Sequence, residues 1–271
     1  MKANINKLKS ISKEIRKKII EISFIKRSHH IGSQFSAVEI LVTLFFKILK
    51  KNSKNFYDLN KDIFLLSKGH AALVYYIILS MKGCFSEKKL ISEYLSDGGK
   101  LGGHPDYKSM KGIEISSGAL GHCLSIGAGI ALSKKRDKKN GNVYVLLSDG
   151  EINEGMIWES VMFSAHHKLN NLIVIIDNNK IQALGHSKDI INMNSINEKF
   201  KSFNWNVKEV NGHDLKDLIK NLNKKNYSKP LIIIANTIKG KGLLSMENKL
   251  SSHYEVIKDK KTKNYYLNNI Y

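Results

Sequence analysis

Apolar residues recur along this chain in two rhythms, one suited to helices and one to buried strands. Leu8, Ile11, Ile15 and Ile19 stand three or four apart in a lysine-rich opening, which predicts an amphipathic first helix to about Ile25. The polar stretch SHHIGSQFS reads as a turn. AVEILVTLFFKIL is apolar on all sides and predicts a buried helix, and AALVYYIILSMKG predicts another, closed by Gly83. Residues 96–124 are rich in glycine and polar side chains. A loop that long in a compact protein is usually functional. SIGAGIALSKK follows as a helix of small residues able to pack closely.

The strand rhythm begins at VYVLL (143–147), a continuous apolar run suited to a strand buried on both faces. SDGEINEG is then a turn, MIWESVMFSAHHKL a helix and LIVIID (172–177) a second buried strand, which together make a parallel βαβ unit. Two more strands are predicted at WNVKEV and PLIIIAN, with the helix DLKDLIKNL between them. The alternation predicts an α/β fold of three layers, α/β/α, built on a mainly parallel sheet. There are only two prolines, Pro105 and Pro230, and no linker or internal repeat. Residues 1–271 therefore read as a single domain, with a polar, peripheral tail from about 251.

Composition changes this picture little. Hydrophobic residues make up 42% and charged residues 25%, ordinary for a globular protein, and no apolar run is long enough to span a membrane. The net charge of +20 would suit a nucleic-acid surface. However, the lysines are scattered, the longest basic cluster is broken by Asp137, and no nucleic-acid motif accompanies them. A positive field also attracts phosphorylated small molecules. Cys84 and Cys123 form no CxxC pair, which suggests reduced thiols. The basic N-terminus lacks the apolar core of a signal peptide, so a cytoplasmic location is expected.

Candidate chemistry sits at the strand ends, where parallel α/β sheets bind ligands. Asp149 lies just past one strand and Asn179 just past the next, about one βαβ unit apart. Magnesium takes hard oxygen ligands and shares phosphate oxygens with one or two protein groups. Asp149, Asn179 and the backbone carbonyl of Ile181 would suit it. Gly150 would let backbone approach a diphosphate, and the helix start after Gly155 would favour the anion.

SDGEINEG followed by NLIVIIDNNKIQ resembles the thiamine diphosphate signature of the transketolase family, with Ser148 replacing its first glycine. HHIGSQFSAVEIL, LSKGHAA, GGHPD, SSGALGHCLSIGAGIAL and TIKGKG resemble further segments of that family, in order, over roughly residues 5–255. The resemblance implies a thiamine diphosphate-binding fold in which Asp149, Asn179 and Ile181 hold magnesium, with calcium or manganese able to replace it. It places His70, Gly118, Ala119, Leu120, Gly150 and Glu151 at the cofactor. It implies catalytic roles for His30, His104 and His253 facing a sugar-phosphate substrate, and for Glu154 at an interface between chains with paired cofactors. His122 departs from a usual glutamine, and S-H-Y-E from a usual W-H-G.

The resemblance also implies that the pyrimidine-binding domain, with the glutamate that activates the cofactor, resides in a second chain. A heterotetramer transferring a two-carbon ketol unit from a ketose phosphate to an aldose phosphate is thus expected. Neither nucleic acid nor membrane is expected as a partner. The alternatives are a component of another thiamine diphosphate enzyme, of the deoxyxylulose-phosphate synthase or dehydrogenase type, and a non-catalytic cofactor-binding homologue.

Overall fold

The computed structural model describes residues 2–49, 51, 54–223 and 228–271. Five strands, β1 (Ile63–Leu66), β2 (Val143–Ser148), β3 (Leu172–Asn178), β4 (Asn206–Asn211) and β5 (Leu231–Asn236), form one sheet in the order β1-β2-β3-β5-β4. Every neighbouring pair is parallel. All five strands therefore end on the same edge.

The helices in chain order are α1 (Lys2–Lys26), α2 (Ile31–Ser36), α3 (Val38–Thr43), α4 (Ala72–Met81), α5 (Glu87–Glu93) and α6 (His122–Arg136). They continue with α7 (Gly155–His166), α8 (Ser187–Ile190), α9 (Ile196–Ser202), α10 (Leu215–Leu222) and α11 (Lys260–Asn269). Among the described residues no helix is long and apolar enough to cross a membrane.

Strand side chains alternate between two cores, as the pleat requires. Phe64, Leu66, Tyr144, Leu146, Ile173, Ile175 and Ile233 pack with α1, α3, α4 and α10 on one face. Leu65, Val143, Val145, Leu147, Val174, Ile176 and Ile232 pack with α6, α7 and the Phe200 and Trp205 rings on the other. This is the expected three-layer α/β/α architecture, and four of its five strands fall where the apolar runs predict. The fifth, β1, is a four-residue run, IFLL, too short to show a period of its own.

Three expectations need correction. SHHIGSQFS is not a turn: its second half is α2, buried throughout. Its polar groups make this possible, since Ser36 Oγ donates to the Asp177 carboxylate and Gln34 Nε2 to the His29 carbonyl at 3.1 Å. AVEILVTLFFKIL is not one helix, because α3 passes into a π-helical turn at Leu44–Ile48. The stretch from 251 is not peripheral. Tyr266 and Ile270 are buried in the same core as α1, and Arg27 donates to the carbonyls of Ile257 and Lys258.

Candidate functional site

The carboxyl edge of the sheet collects the candidate residues. Asp149 follows β2 and Asn179 follows β3, and each is 4% exposed. The Asp149 carboxylate accepts from Ser187 Oγ; Asn179 Oδ1 accepts from the Ile181 amide at 3.1 Å. Burial raises the Asp149 carboxyl above its ordinary value, against the Ser187 hydrogen bond and with help from the nearby Asp177. Gly150 stands against Gln182, whose side chain a Cβ would strike at 2.8 Å.

Opposite lies a wall of imidazoles. His30 caps α2 in the left-handed region (φ 66°), held by its amide donating to the His253 carbonyl at 2.9 Å. Its ring lies 4.7 Å from that of His253 and 5.7 Å from that of His70. His70 enters from the 3₁₀ turn after β1. His104 closes the group against two glycines: a Cβ on Gly118 would meet its ring at 3.1 Å, and one on Gly69 at 2.9 Å. The sequence motifs point to all four histidines, and the fold brings them together.

All four are held neutral. Burial, then the charge of His104, lowers His30 to about 4; burial, then Lys239, lowers His253 to about 3. Burial and Lys68 keep His70 well below the ordinary value, and burial alone lowers His104. Neutral imidazoles can donate and accept at once, as contact with sugar hydroxyls requires.

Two lysines that the motifs did not single out complete the floor. Lys68 pairs with Asp177, which also accepts from Ser36 and Thr237, and both members are fully buried. Burial by itself raises the Asp177 carboxyl, but the charge and hydrogen bond of Lys68 outweigh it and hold it low. Lys239 is different. Its ammonium donates to the Ile181 carbonyl at 3.0 Å and to His253 Nδ1 at 2.8 Å, so its partners are a carbonyl and an imidazole rather than a carboxylate. Burial, then Lys68, lowers it to about 8. Sequence separations of 109 and 58 residues hide these contacts from any local pattern.

A diphosphate with its magnesium fits this donor set. One carboxylate, one amide oxygen and one carbonyl are hard ligands that leave coordination positions for phosphate oxygens. A buried ammonium lacking a carboxylate partner offers the countercharge. The polar atoms His30 Nδ1, Ser117 Oγ and Gln182 Nε2 are buried without a hydrogen-bond partner, although buried polar groups normally have one.

Not every expected residue points here. The Glu151 side chain is fully buried and occupied by Ser67 Oγ, the Gly121 amide at 2.8 Å and the Ser148 amide at 3.2 Å. It braces the loop that carries Gly118, Ala119 and Leu120, and its carboxylate is not presented to a ligand. Glu154 is exposed at the start of α7, outside the histidine group. His122 is likewise exposed, at the start of α6, and Tyr254 edges His253 with ring centres 4.7 Å apart.

The family described as "Transketolase, thiamine diphosphate binding domain" matches residues 9–267. One of the two chains of an apulose-4-phosphate transketolase from Phocaeicola vulgatus is 36% identical over 90% of this chain and 87% of its own length. A 6-deoxy-6-sulfo-D-fructose transketolase subunit from a Clostridium species is 34% identical over 83% and 82%. Among solved structures, the transketolase of Campylobacter jejuni superposes with a TM-score of 0.80 at 30% identity. It covers 89% of this chain, which in turn spans 40% of that protein. Matched along almost its whole length, the chain belongs to the transketolase family and carries that family's thiamine diphosphate binding domain.

Proposed function

We propose that this chain is the diphosphate-binding subunit of a two-chain transketolase. Asp149, Asn179 and the Ile181 carbonyl would hold magnesium, or calcium or manganese in its place, and through it the diphosphate. Lys239, His70 and the backbone at Gly150 and Gly118–Leu120 would contact the cofactor directly. Thiamine diphosphate, when bound, supplies the carbanion chemistry for moving a two-carbon ketol unit from a ketose phosphate to an aldose phosphate. This chain's part is to orient it and to present neutral His30, His104 and His253 to the hydroxyl and carbonyl oxygens of the sugar, where they accept or return protons.

The observation that carries the reading is the meeting of three hard oxygen donors with an uncompensated buried ammonium and four neutral imidazoles on one sheet edge. A pyrimidine-binding partner chain is supported by the relatives named as subunits, which this chain matches nearly end to end. The exposed Glu154 suits an interface between chains, so a heterotetramer in the cytoplasm follows as part of the same reading. The substrates named for those relatives, apulose 4-phosphate and a sulfonated fructose, support a ketose donor without choosing one.

The test is a titration of the chain with thiamine diphosphate and magnesium, read by quenching of its tryptophans, beside a ketol-transfer assay with and without the partner. Asp149→Ala is expected to abolish magnesium-dependent binding while the circular dichroism spectrum stays native. Transfer is expected only with both chains present. Undiminished binding by the Asp149→Ala protein would remove the metal assignment, and turnover by the isolated chain would remove the two-chain reading.

A further inference from the structure

Behind the candidate site lies a buried polar group that the proposed mechanism does not use. Arg16 comes from α1, Glu39 from α3 and His213 from the turn after β4. The Arg16 guanidinium grips Glu39 with two hydrogen bonds, each 2.7 Å, and His213 Nδ1 lies 2.9 Å from Glu39 Oε2. Burial by itself would raise the Glu39 carboxyl, but Arg16 and His213 outweigh it and hold it at about 2. Three elements far apart in sequence meet on one carboxylate.

The outer ends of this group both reach the 237–242 segment. Arg16 Nε donates to the Lys241 carbonyl at 2.7 Å, and the Ile238 amide donates to His213 Nε2 at 2.8 Å. Gly242, at φ +99°, makes room for the guanidinium, since a Cβ there would stand 2.6 Å from Arg16 Nε. Lys239 lies between the two gripped residues.

Hydrogen-bond bookkeeping fixes the proton on His213. A backbone N–H can only donate, so Nε2 accepts from Ile238 and carries no hydrogen. The proton is therefore on Nδ1, where it donates to Glu39. A carboxylate that selects the tautomer of a histidine, leaving its other nitrogen to hold a third group, is a known means of orienting functional sites.

We propose that Arg16, Glu39 and His213 form a positioning clamp whose fixed His213 tautomer holds the 237–242 segment so that the Lys239 ammonium points at the Ile181 carbonyl and the diphosphate site. The inference rests on the proposed function for its ligand, though not for its geometry. None of the three clamp residues touches the candidate ligands. They act through the backbone of Ile238 and Lys241.

The test uses the full-length chain, ¹⁵N-labelled, and two variants. Long-range proton–nitrogen spectra are expected to show Nδ1 of His213 protonated and Nε2 bare at neutral pH. His213→Gln keeps an acceptor able to reach the Ile238 amide, whereas His213→Leu keeps the bulk without one. Losing one buried hydrogen bond corresponds to about a tenfold change. His213→Leu is thus expected to speed exchange of the Ile238 amide about tenfold and to weaken thiamine diphosphate binding by a similar factor. His213→Gln should restore most of both.

A purely structural role for His213 would lower the melting temperature of both variants alike and leave cofactor affinity at the native value. That result, or a proton found on Nε2, would overturn the clamp. If the native chain bound no thiamine diphosphate, the functional reading would fail instead. The tautomer and the exchange of the Ile238 amide would then decide the clamp by themselves.

Discussion

His30 and His253 stand with their rings 4.7 Å apart, buried beside the Lys239 ammonium, and the cost of that crowding has a definite sign. Their folded values, about 4 and about 3, lie below the ordinary 6.5. As pH falls through 6.5 the unfolded chain takes up protons that the folded chain refuses, so stability drops on the acid side. The urea midpoint of the ligand-free protein is expected to fall between about pH 7 and about pH 5. In a His30→Asn, His253→Asn double variant it should fall less, and an equal slope in both proteins would show that these imidazoles are not the source. At this scale the motifs disclosed the four histidines and the metal donors, because each sits beside a glycine or just past a strand end. They did not disclose Lys239 or the Lys68–Asp177 pair, whose meaning lies in partners that only the fold supplies. Glu151 shows the converse, since a residue inside a motif turned its side chain away from the ligand to brace a loop.

Helix α6 carries two glycines whose surroundings differ sharply. Gly127 faces the sheet, where a Cβ would press to 2.8 Å from Val145 Cγ2; Gly129, two residues on, has nothing within 4 Å. Gly127→Ala should destabilise the fold by about 1–3 kcal/mol, the usual cost of overpacking. Gly129→Ala should instead stabilise the isolated chain by up to about 1 kcal/mol, the helix-propensity difference. Urea unfolding of both variants checks this, and matching signs would show that α6 does not sit on β2 as closely as described. Elements with a clear period were legible in the sequence: α1, α4, α6, α7 and four strands. The lapses were physical. Four residues of β1 are too few to show a period, and polar composition hid α2, whose buried serines and glutamine are satisfied by partners distant in the chain or by backbone.

For the molecule as a whole, the sheet gathers five strand ends into one edge, and the two cores on its faces make that edge rigid enough to hold a site. The high positive charge finds one local use, in the buried ammonium groups of Lys68 and Lys239 beneath the histidines, while most lysines remain on the surface. The last residues also belong to this architecture. Tyr266 and Ile270 are buried against α1, the Tyr271 hydroxyl accepts from Lys241 Nζ at 2.7 Å, and the Tyr271 amide donates to the Gly242 carbonyl at 3.2 Å. Burying each large side chain is worth about 1.5–3 kcal/mol. A chain ending at Lys258 should therefore lose several kcal/mol and, with it, thiamine diphosphate affinity. A truncated protein that melted and bound like the native one would contradict this account.

That last contact has a practical edge. Gly242 closes the short segment that begins beside Lys239, so the final amide of the chain is tied, through a short run of backbone, to the proposed anion site. A carboxypeptidase nibbling at the end, or an affinity tag fused there, would pull on the same strap. Loss of cofactor in such a preparation would report on the handling of its last residue and not on the chemistry of its site.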